Sequence, residues 1–568
     1  MKGTMIIDGK KVEFNGEKNV LEVVRKAGIE LPTFCFHSEL SVYGACRMCI
    51  VEDKYGKILT SCSTVPKDGM EIYTQTPRLL RYRKNILELL LANHDRDCTT
   101  CEKTGDCTLQ ALAGKFGINK IRFGGLIDRE PVDNSSLAIV RNPNKCILCG
   151  DCVRMCEEIQ GVGALSFAYR GSKMKVSTAF DRPVADTNCI NCGQCRAICP
   201  TGAISIKNET DRFWDLVFDK NKRVVVQIAP AVRVALGEEF GMEPGEISIG
   251  KIIAALKKMG VDEVYDTAFG ADMTVIAESQ EFVERLSQGK NLPLFTSCCP
   301  GWVKFAENRF SDMLDNISSC KSPQQMFGSV IKEFYKQRDE EEGKETVVVS
   351  IMPCTAKKAE AAREEFQTDG IRDVELVITT QELAMLIKEV GLVFDELEDE
   401  SFDMPFGLAS GSGVIFGSTG GVAEAVVTRL LKEKPDHVDK ELIFKQVRGL
   451  DNIKEASFNI DGKEVKIAVV HGLKNAEDLI RSIKAGEKEY HMIEVMACPG
   501  GCIAGGGQPV PMTRKVREKR SMGLYRLDRS SYVKSSEENP AINHLFETLL
   551  KDNHEILHVH KVEKNTNL

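Results

Sequence analysis

The sequence predicts a multidomain α+β protein: small cysteine-rich domains over residues 1–209, then a large α/β domain with mainly parallel sheets around a buried site. Three observations predict it. The chain has 568 residues, enough for about four domains at ~100–200 residues each. All of its 21 cysteines except Cys298 and Cys320 fall into spaced groups, most of them before residue 200. Beyond Thr210, apolar runs of strand length alternate with helical stretches, the pattern of parallel sheets covered by helices on both faces.

Composition narrows the class. The chain is 42% hydrophobic and 28% charged, with net charge −8 and pI near 5.8, which argues against nucleic acid as a partner. No run of about 18 apolar residues predicts a membrane span, and Met1–Lys10 has no export signal. The expectation is a cytoplasmic protein whose thiols are metal ligands rather than disulfides, since a reducing compartment keeps them free.

Residues 1–78 open with alternating Met5–Phe14, where Asp8-Gly9 predicts a hairpin turn. Cys35, Cys46, Cys49 and Cys62 follow as C-x10-C-x2-C-x12-C. Four thiolates suit an iron–sulfur cluster or zinc. The hairpin and cysteine loop resemble plant-type ferredoxins, with a longer first gap; that spacing is similar to the 2Fe–2S domain of complex I's large iron–sulfur subunit and of the larger hydrogenases.

Residues 79–125 begin with a predicted helix over Leu79–Ala92, then His94, Cys98, Cys101 and Cys107 as H-x3-C-x2-C-x5-C. Alone, His94 reads as incidental. The resemblance to the same two families implies that it is the histidine ligand of a 4Fe–4S cluster. Imidazole in place of thiolate removes negative charge and should raise the potential.

Residues 126–209 carry Cys146, Cys149, Cys152, Cys156 as C-x2-C-x2-C-x3-C, repeated at Cys189, Cys192, Cys195, Cys199 before Pro200. Three thiolates on one tight loop wrap three corners of a cubane, whereas zinc knuckles come as separated pairs. In two-cluster ferredoxins the fourth cysteine of each run serves the other cluster. That predicts Cys146, Cys149 and Cys152 with Cys199, and Cys189, Cys192 and Cys195 with Cys156.

In residues 210–568 the apolar runs are 224–229, 292–296, 347–351, 466–470 and 493–496. Cys298-Cys299, Cys354 and Cys498 each stand just past one of them, with Cys502 close behind. Open α/β sheets bind ligands at the carboxyl ends of their strands, so these cysteines are expected to converge. The Gly417-Ser418-Thr419-Gly420-Gly421 run lacks the lysine and spacing of a phosphate loop and reads as a tight backbone turn.

Thr296-Ser297-Cys298-Cys299-Pro300-Gly301-Trp302, Met352-Pro353-Cys354-Thr355-Ala356-Lys357-Lys358 and Glu494-Val495-Met496-Ala497-Cys498-Pro499-Gly500-Gly501-Cys502 resemble the three signature motifs of the FeFe-hydrogenases. The resemblance spans the chain, as in the single-chain clostridial type with four accessory clusters. Segment 513–568 resembles what is a separate small subunit in some relatives. It implies Cys299, Cys354, Cys498 and Cys502 as ligands of the H-cluster, a 4Fe–4S cubane sharing the Cys502 thiolate with a diiron site that bears CO, CN and azadithiolate. Lys357 matches the partner of one cyanide, a charge-assisted hydrogen bond, and Ala229-Pro230 the backbone contacts to the other. Gln324, Met352, Phe416 and Met496 match the pocket wall. Ala231 stands where some relatives have serine, so one hydroxyl contact is missing.

The same resemblance implies reversible oxidation of dihydrogen by heterolytic cleavage at the diiron site. Protons would pass through Cys298, Glu278, Ser318 and Glu281, with Arg285 at the exit. Glu278 and Glu281, three apart, share a helix face; by itself such a pair is more often a solvated surface. Electrons would run through one 2Fe–2S and three accessory 4Fe–4S clusters to ferredoxin or flavodoxin, making the chain a ferredoxin hydrogenase dependent on maturation machinery. Cys320 reads as a buried structural thiol. The alternatives are a sensory hydrogenase homologue, a complex I-like electron-transfer subunit, and an iron–sulfur assembly homologue. The downstream motifs and the complete relay weigh against all three.

Overall fold

The computed structural model describes residues 2–124, 129–368, 370–432, 446–460 and 463–559. It divides into two compact units, one of Met1–Ile159, Gly163–Thr187 and Ile198–Ser205, the other of Gln160–Val162, Asn188–Ala197 and Ile206–Leu568.

In the first unit, β1 (Lys2–Ile7) and β2 (Lys10–Asn15) form the expected antiparallel hairpin. Asp8 and Gly9 both have positive φ, 49° and 81°, as a two-residue turn matched to strand twist requires. Helix α1 (Val20–Lys26) is capped by the Asn19 side chain. It presses Val20, Leu21, Val23 and Val24 onto Met5, Ile7 and Phe14. With β3 (Ile50–Asp53), β4 (Ile58–Thr60) and β5 (Glu71–Tyr73) the sheet order is β2-β1-β5-β3-β4. Helix α2 (Pro77–Ala92) starts two residues before Leu79, because Thr76 caps it and Pro77 occupies its first turn. Its Arg83 is buried and donates to the carbonyls of Met48, Ile50 and Thr74, fixing the backbone that carries Cys49.

The second unit is built on two sheets. The strands β6 (Lys222–Ile228), β7 (Glu263–Asp266), β9 (Glu345–Met352) and β10 (Leu376–Thr379) form one, in the order β7-β6-β9-β10, all parallel. The other has the order β8-β13-β12-β11, from β8 (Leu294–Phe295), β11 (Ile453–Ile460), β12 (Lys463–His471) and β13 (Met492–Met496). Its β8, β13 and β12 are parallel and β11 is antiparallel. Mainly parallel sheets were expected. The antiparallel edge strand was not singled out, because its residues alternate between exposed and buried and make no continuous apolar run.

Helices cover these sheets: α3 (Thr267–Gln288), α4 (Pro323–Glu342), the short α5 (Ala356–Ala361), α6 (Gly421–Lys432) and α7 (Arg514–Ser530). Fully buried Arg520 on α7 chelates Glu238 at 2.7 and 2.8 Å and donates to the carbonyls of Ile503 and Pro509. Farther along, Ser536 and Asn539 donate to the fully buried Asp272 carboxylate at 2.8 and 3.2 Å. No helix among the described residues is long and apolar enough to cross a membrane.

Candidate active site

Cys298 and Cys299 follow β8, Cys354 follows β9, and Cys498 and Cys502 follow β13. The Ala229-Pro230 turn leaves β6, whose end is aligned with that of β9, Ile228 opposite Ile351. The scattered cysteines therefore come together as expected: charge on Cys299 is felt by Cys354, Cys498 and Cys502. Burial pushes all five thiols up, Cys354 to about 11. Lys357 pulls the other way at Cys299, Cys354 and Cys502. Four converging, largely desolvated thiols with one ammonium beside them cannot all ionise unaided. A cationic iron–sulfur cage supplies the missing charge, so the donor set fits a cluster.

Local hydrogen bonds orient the sulfurs. The Ala497 amide donates to Cys299 Sγ at 3.4 Å, and Gln194 Nε2 donates to Cys498 Sγ at 3.2 Å. Gly501 has φ +90°, and a Cβ there would lie 2.6 Å from the Thr419 amide nitrogen. The third motif thus packs against the Gly417–Gly421 run, which is the expected tight turn: Gly420 has φ +93°, and Glu494 accepts from the Gly420 and Ala423 amides at 2.6 and 2.9 Å. Phe416 and Met496 pack in one cluster with Cys298 and Cys299; Met352 is buried nearby at the end of β9.

Lys357 Nζ pairs with Glu360 at 2.8 Å on α5. Burial alone would lower its pKa, but Glu360 and the thiols of Cys354 and Cys298 hold it above the usual lysine value. Glu360 also accepts from Ser322 at 3.0 Å and from Gln324 at 3.2 Å, while buried Gln324 Oε1 has no partner. Glu360 went unnoticed in the sequence; its signal is the i,i+3 spacing from Lys357. Gln194 and Glu494 were missed too, since neither residue type is a metal ligand here.

On α3, Glu278 is 1% exposed, so the solvated-face reading of the Glu278/Glu281 pair fails. Burial first, then Glu281, pushes the Glu278 carboxyl up to about 8, against the pull of Ser318 and the Ser297 amide. Glu281 accepts from Ser318 Oγ at 2.8 Å and from the Ser319 amide at 3.1 and 3.0 Å. Arg285 holds Glu281 and the carbonyls of Asn291, Asp315 and Ile317. Cys320, read as a plain core thiol, is buried but lies among these groups, its Sγ 3.8 Å from Glu281.

The raised Glu278 pKa has a stability consequence. Between the ordinary value of 4.5 and about 8 the folded chain keeps a proton that the unfolded chain has lost, so stability falls as pH rises through that window. Glu278→Gln is expected to flatten this slope in urea unfolding. An unchanged slope would place the titration elsewhere.

The remaining cysteines lie as follows. In the first unit, Cys35 Sγ accepts from the Cys46 amide at 3.3 Å, and Cys46 Sγ from the Phe34 amide at 3.5 Å. Thiol donors Cys35 and Cys62 pull Cys46 and Cys49 down to about 6. His94 is buried with Nδ1 unpartnered, and burial pushes it down to about 4, which favours the neutral imidazole that a ligand must present. Cys101 Sγ would be 2.6 Å from a Cβ on Gly202, and Cys107 precedes the helix Thr108–Lys115. Cys98 begins the turn in which the Cys101 amide donates back to its carbonyl, at 3.2 Å. Cys146, Cys149, Cys152 and Cys199 line one cavity, the grouping expected from the exchanged fourth cysteine. Cys156 belongs to this unit, while Cys189, Cys192 and Cys195 belong to the second. There Thr355 Oγ1 donates to the Asn191 carbonyl at 2.7 Å, and Cys192 lies near enough to Cys498 to disfavour its ionisation. Cys192 thus adjoins the four-thiol site within the second unit.

Comparison with known proteins bears on the whole arrangement. The family profile "Iron only hydrogenase large subunit, C-terminal domain" matches residues 222–506, and "Iron hydrogenase small subunit" matches 514–562. Iron hydrogenase 1 of Clostridium pasteurianum is 37% identical over 98% of this chain and 99% of its own length. The chain belongs to the iron-only, or FeFe-, hydrogenases. The NADP-reducing hydrogenase subunit HndD of Solidesulfovibrio fructosivorans is 43% identical, with 98% of both chains covered. An FeFe-hydrogenase structure from Chlamydomonas reinhardtii superposes with a TM-score of 0.55 at 37% identity, covering 62% of this chain and 98% of that one. Ahead of the hydrogenase domain, profiles for a 2Fe–2S domain (residues 4–77), the NADH-ubiquinone oxidoreductase-G iron–sulfur region (83–122) and a 4Fe–4S dicluster domain (145–211) match in turn. Iron–sulfur assembly proteins such as that of Bos taurus, 34% identical, match over only 59% of the chain. This FeFe-hydrogenase is an oxidoreductase whose reaction is the reversible oxidation of dihydrogen to protons and electrons.

Proposed function

We propose that the chain is a catalytic, cytoplasmic hydrogenase exchanging electrons with ferredoxin or flavodoxin. What supports this reading is the nearness of Cys298, Glu278, Ser318 and Glu281 to one another: Glu278 feels Cys298 on one side and Glu281 on the other, and Ser318 donates to Glu281, while the two Glu278 oxygens lie buried without a partner. A sensor or an electron wire needs no such set. The bound H-cluster would supply heterolytic cleavage of dihydrogen, with Cys299, Cys354, Cys498 and Cys502 holding it. Lys357 would present its ammonium to an anionic ligand, the Ala229-Pro230 turn its backbone, and Gln324, Met352, Phe416 and Met496 a water-excluding wall. Cys298, neutral because it is buried, would pass a proton to Glu278 without a charged thiolate ever being stable. Glu278, with a pKa near working pH, suits a transfer group that must both take and release a proton.

In this reading the domain boundaries fall at 1–78, 79–125, 126–209 and 210–568, with 513–568 the small-subunit-like segment. Each of the first three domains carries the cluster its cysteines predict. A second reading of the electron partner comes from the resemblance to an NADP-reducing hydrogenase subunit: a separate subunit that handles the nicotinamide would then accept the electrons. The test is dihydrogen evolution by the loaded, anaerobic protein from reduced methyl viologen and from reduced ferredoxin. No gas from a fully loaded chain means a sensor or a wire. Gas from viologen alone points to a subunit partner.

A further inference from the structure

Between its two close-spaced cysteine runs the chain makes an excursion that cluster binding does not use. Strands Ser166–Ala168 and Lys175–Ser177 pair antiparallel, with Phe167 opposite Val176. Val176 lines the cavity of Cys146, Cys149, Cys152 and Cys199. Phe167 stacks on Tyr43 at 5.9 Å and covers Gly150, where a Cβ would lie 3.0 Å from its ring. Arg141 donates to the Val176 carbonyl at 3.0 Å. All of these residues belong to the first unit, and the hairpin forms part of the cavity's wall.

The other side of this wall faces water. Tyr169 is 63% and Phe180 92% exposed, and Met174 is exposed as well. Tyr169 Oη donates to Asp181 at 2.5 Å, and Lys175 lies over the Tyr169 ring and pairs with Asp181 at 3.3 Å. The hairpin and the turn that follows it therefore make one surface. Tyr169, Phe180 and Asp181 all have positive φ, 62°, 55° and 53°. Bulky side chains hold that conformation only where something else offsets the strain, and Phe180, almost wholly in water, has no packing to do so.

Charge marks the same segment. Residues 169–182 carry four basic side chains, Arg170, Lys173, Lys175 and Arg182, against one acid, in a chain of net charge −8. Among the described residues, Lys175 pairs with Glu130 at 2.8 Å and with Asp181, and no carboxylate meets Arg170, Lys173 or Arg182. Exposed aromatic rings, methionine and arginine are what protein interfaces are enriched in, and a basic patch on an acidic chain selects an acidic partner.

We propose that segment 169–182 is the docking surface for a small acidic electron-carrier protein, seated over the cavity of Cys146, Cys149, Cys152 and Cys199; the inference rests on the carrier reading above and deepens it. Tyr169 and Phe180 supply the apolar centre of the contact, and Arg170, Lys173 and Arg182 its charged rim. In each encounter the carrier loses one electron and the chain gains one. Two encounters and two protons make one dihydrogen, and oxidation runs the same exchange in reverse.

The experiment compares the loaded wild-type chain with Arg170→Glu/Lys173→Glu/Arg182→Glu and with Phe180→Asn, since asparagine tolerates the left-handed backbone. A purified acidic two-cluster bacterial ferredoxin is the carrier. Methyl viologen, a small cation that needs no protein interface, is the control donor. In both variants the KM for reduced ferredoxin is expected to rise about tenfold or more, with the viologen rate unchanged. The triple variant should also lose the decline of ferredoxin activity with added salt. Calorimetric titration with oxidised ferredoxin gives a readout apart from activity: the wild-type chain should bind it, and both variants about tenfold more weakly. Unchanged ferredoxin KM and binding in the variants would overturn the inference, as would gas from viologen but none from ferredoxin in the wild type. So would a wild-type dimer in light scattering that the triple variant converts to a monomer, which assigns the surface to a second copy of the chain. Ferredoxin binding that the variants lose, in a loaded chain evolving no gas from either donor, keeps this surface and removes the catalytic reading.

Discussion

Cys298→Ala is expected to lower dihydrogen evolution by about 10²–10⁴-fold with iron content unchanged. Cys298 and its neighbour Cys299 differ in what they face. Cys299 Sγ accepts the Ala497 amide and feels Lys357, the surroundings of a thiolate that binds iron. Cys298 feels first the charge of Glu278, and burial holds it as a neutral thiol. Removing it deletes a proton carrier and leaves the ligand set whole, whereas Cys299→Ala should lose cluster iron. Iron per chain and gas evolution, measured together on the two variants, separate these roles. A Cys298→Ala enzyme that keeps more than half its rate would sink the relay.

Lys357→Met is expected to cost about 3–5 kcal/mol of stability, because it strands a buried carboxylate. Glu360 would keep only the Ser322 and Gln324 donors. The double variant Lys357→Met/Glu360→Gln should regain most of that stability, since a neutral amide needs no cation. Turnover should stay low in both, because the ammonium facing the site is gone in each. Chemical unfolding midpoints read alongside activity test this. A double variant as unstable as the single one would show that Lys357 is held by something other than Glu360.

Much of this was legible in the sequence because cysteine spacing is a covalent constraint that survives without coordinates. The Cys146–Cys156 and Cys189–Cys199 runs announce cubanes by themselves, and the apolar runs before Cys299, Cys354 and Cys498 place those residues at strand ends. Short strands such as Glu263–Asp266 and Leu376–Thr379 were passed over because four residues leave little periodicity to read. Glu360 and Gln194 were invisible for a different reason: their roles come from what they meet in space. Cys320 reads alike as a core thiol in either setting, and only its distance to Glu281 distinguishes the two.

The thiols that converge past the carboxyl ends of β8, β9 and β13 come from Cys299, Cys354, Cys498 and Cys502, and β8 reaches its neighbour β13 only across some two hundred intervening residues. During synthesis the chain emerges from its amino end. That ligand set therefore cannot be complete until Cys502 has left the ribosome, and the helix bearing Arg520, which clasps the Ile503 carbonyl, arrives later still. The clusters of the first unit are under no such constraint, because their ligands are complete within the opening two hundred residues. Biosynthesis thus acquires an order: the electron-carrying end can be metallated while translation continues, but a group held by all four downstream thiols can be fully bound only after Cys502 has emerged.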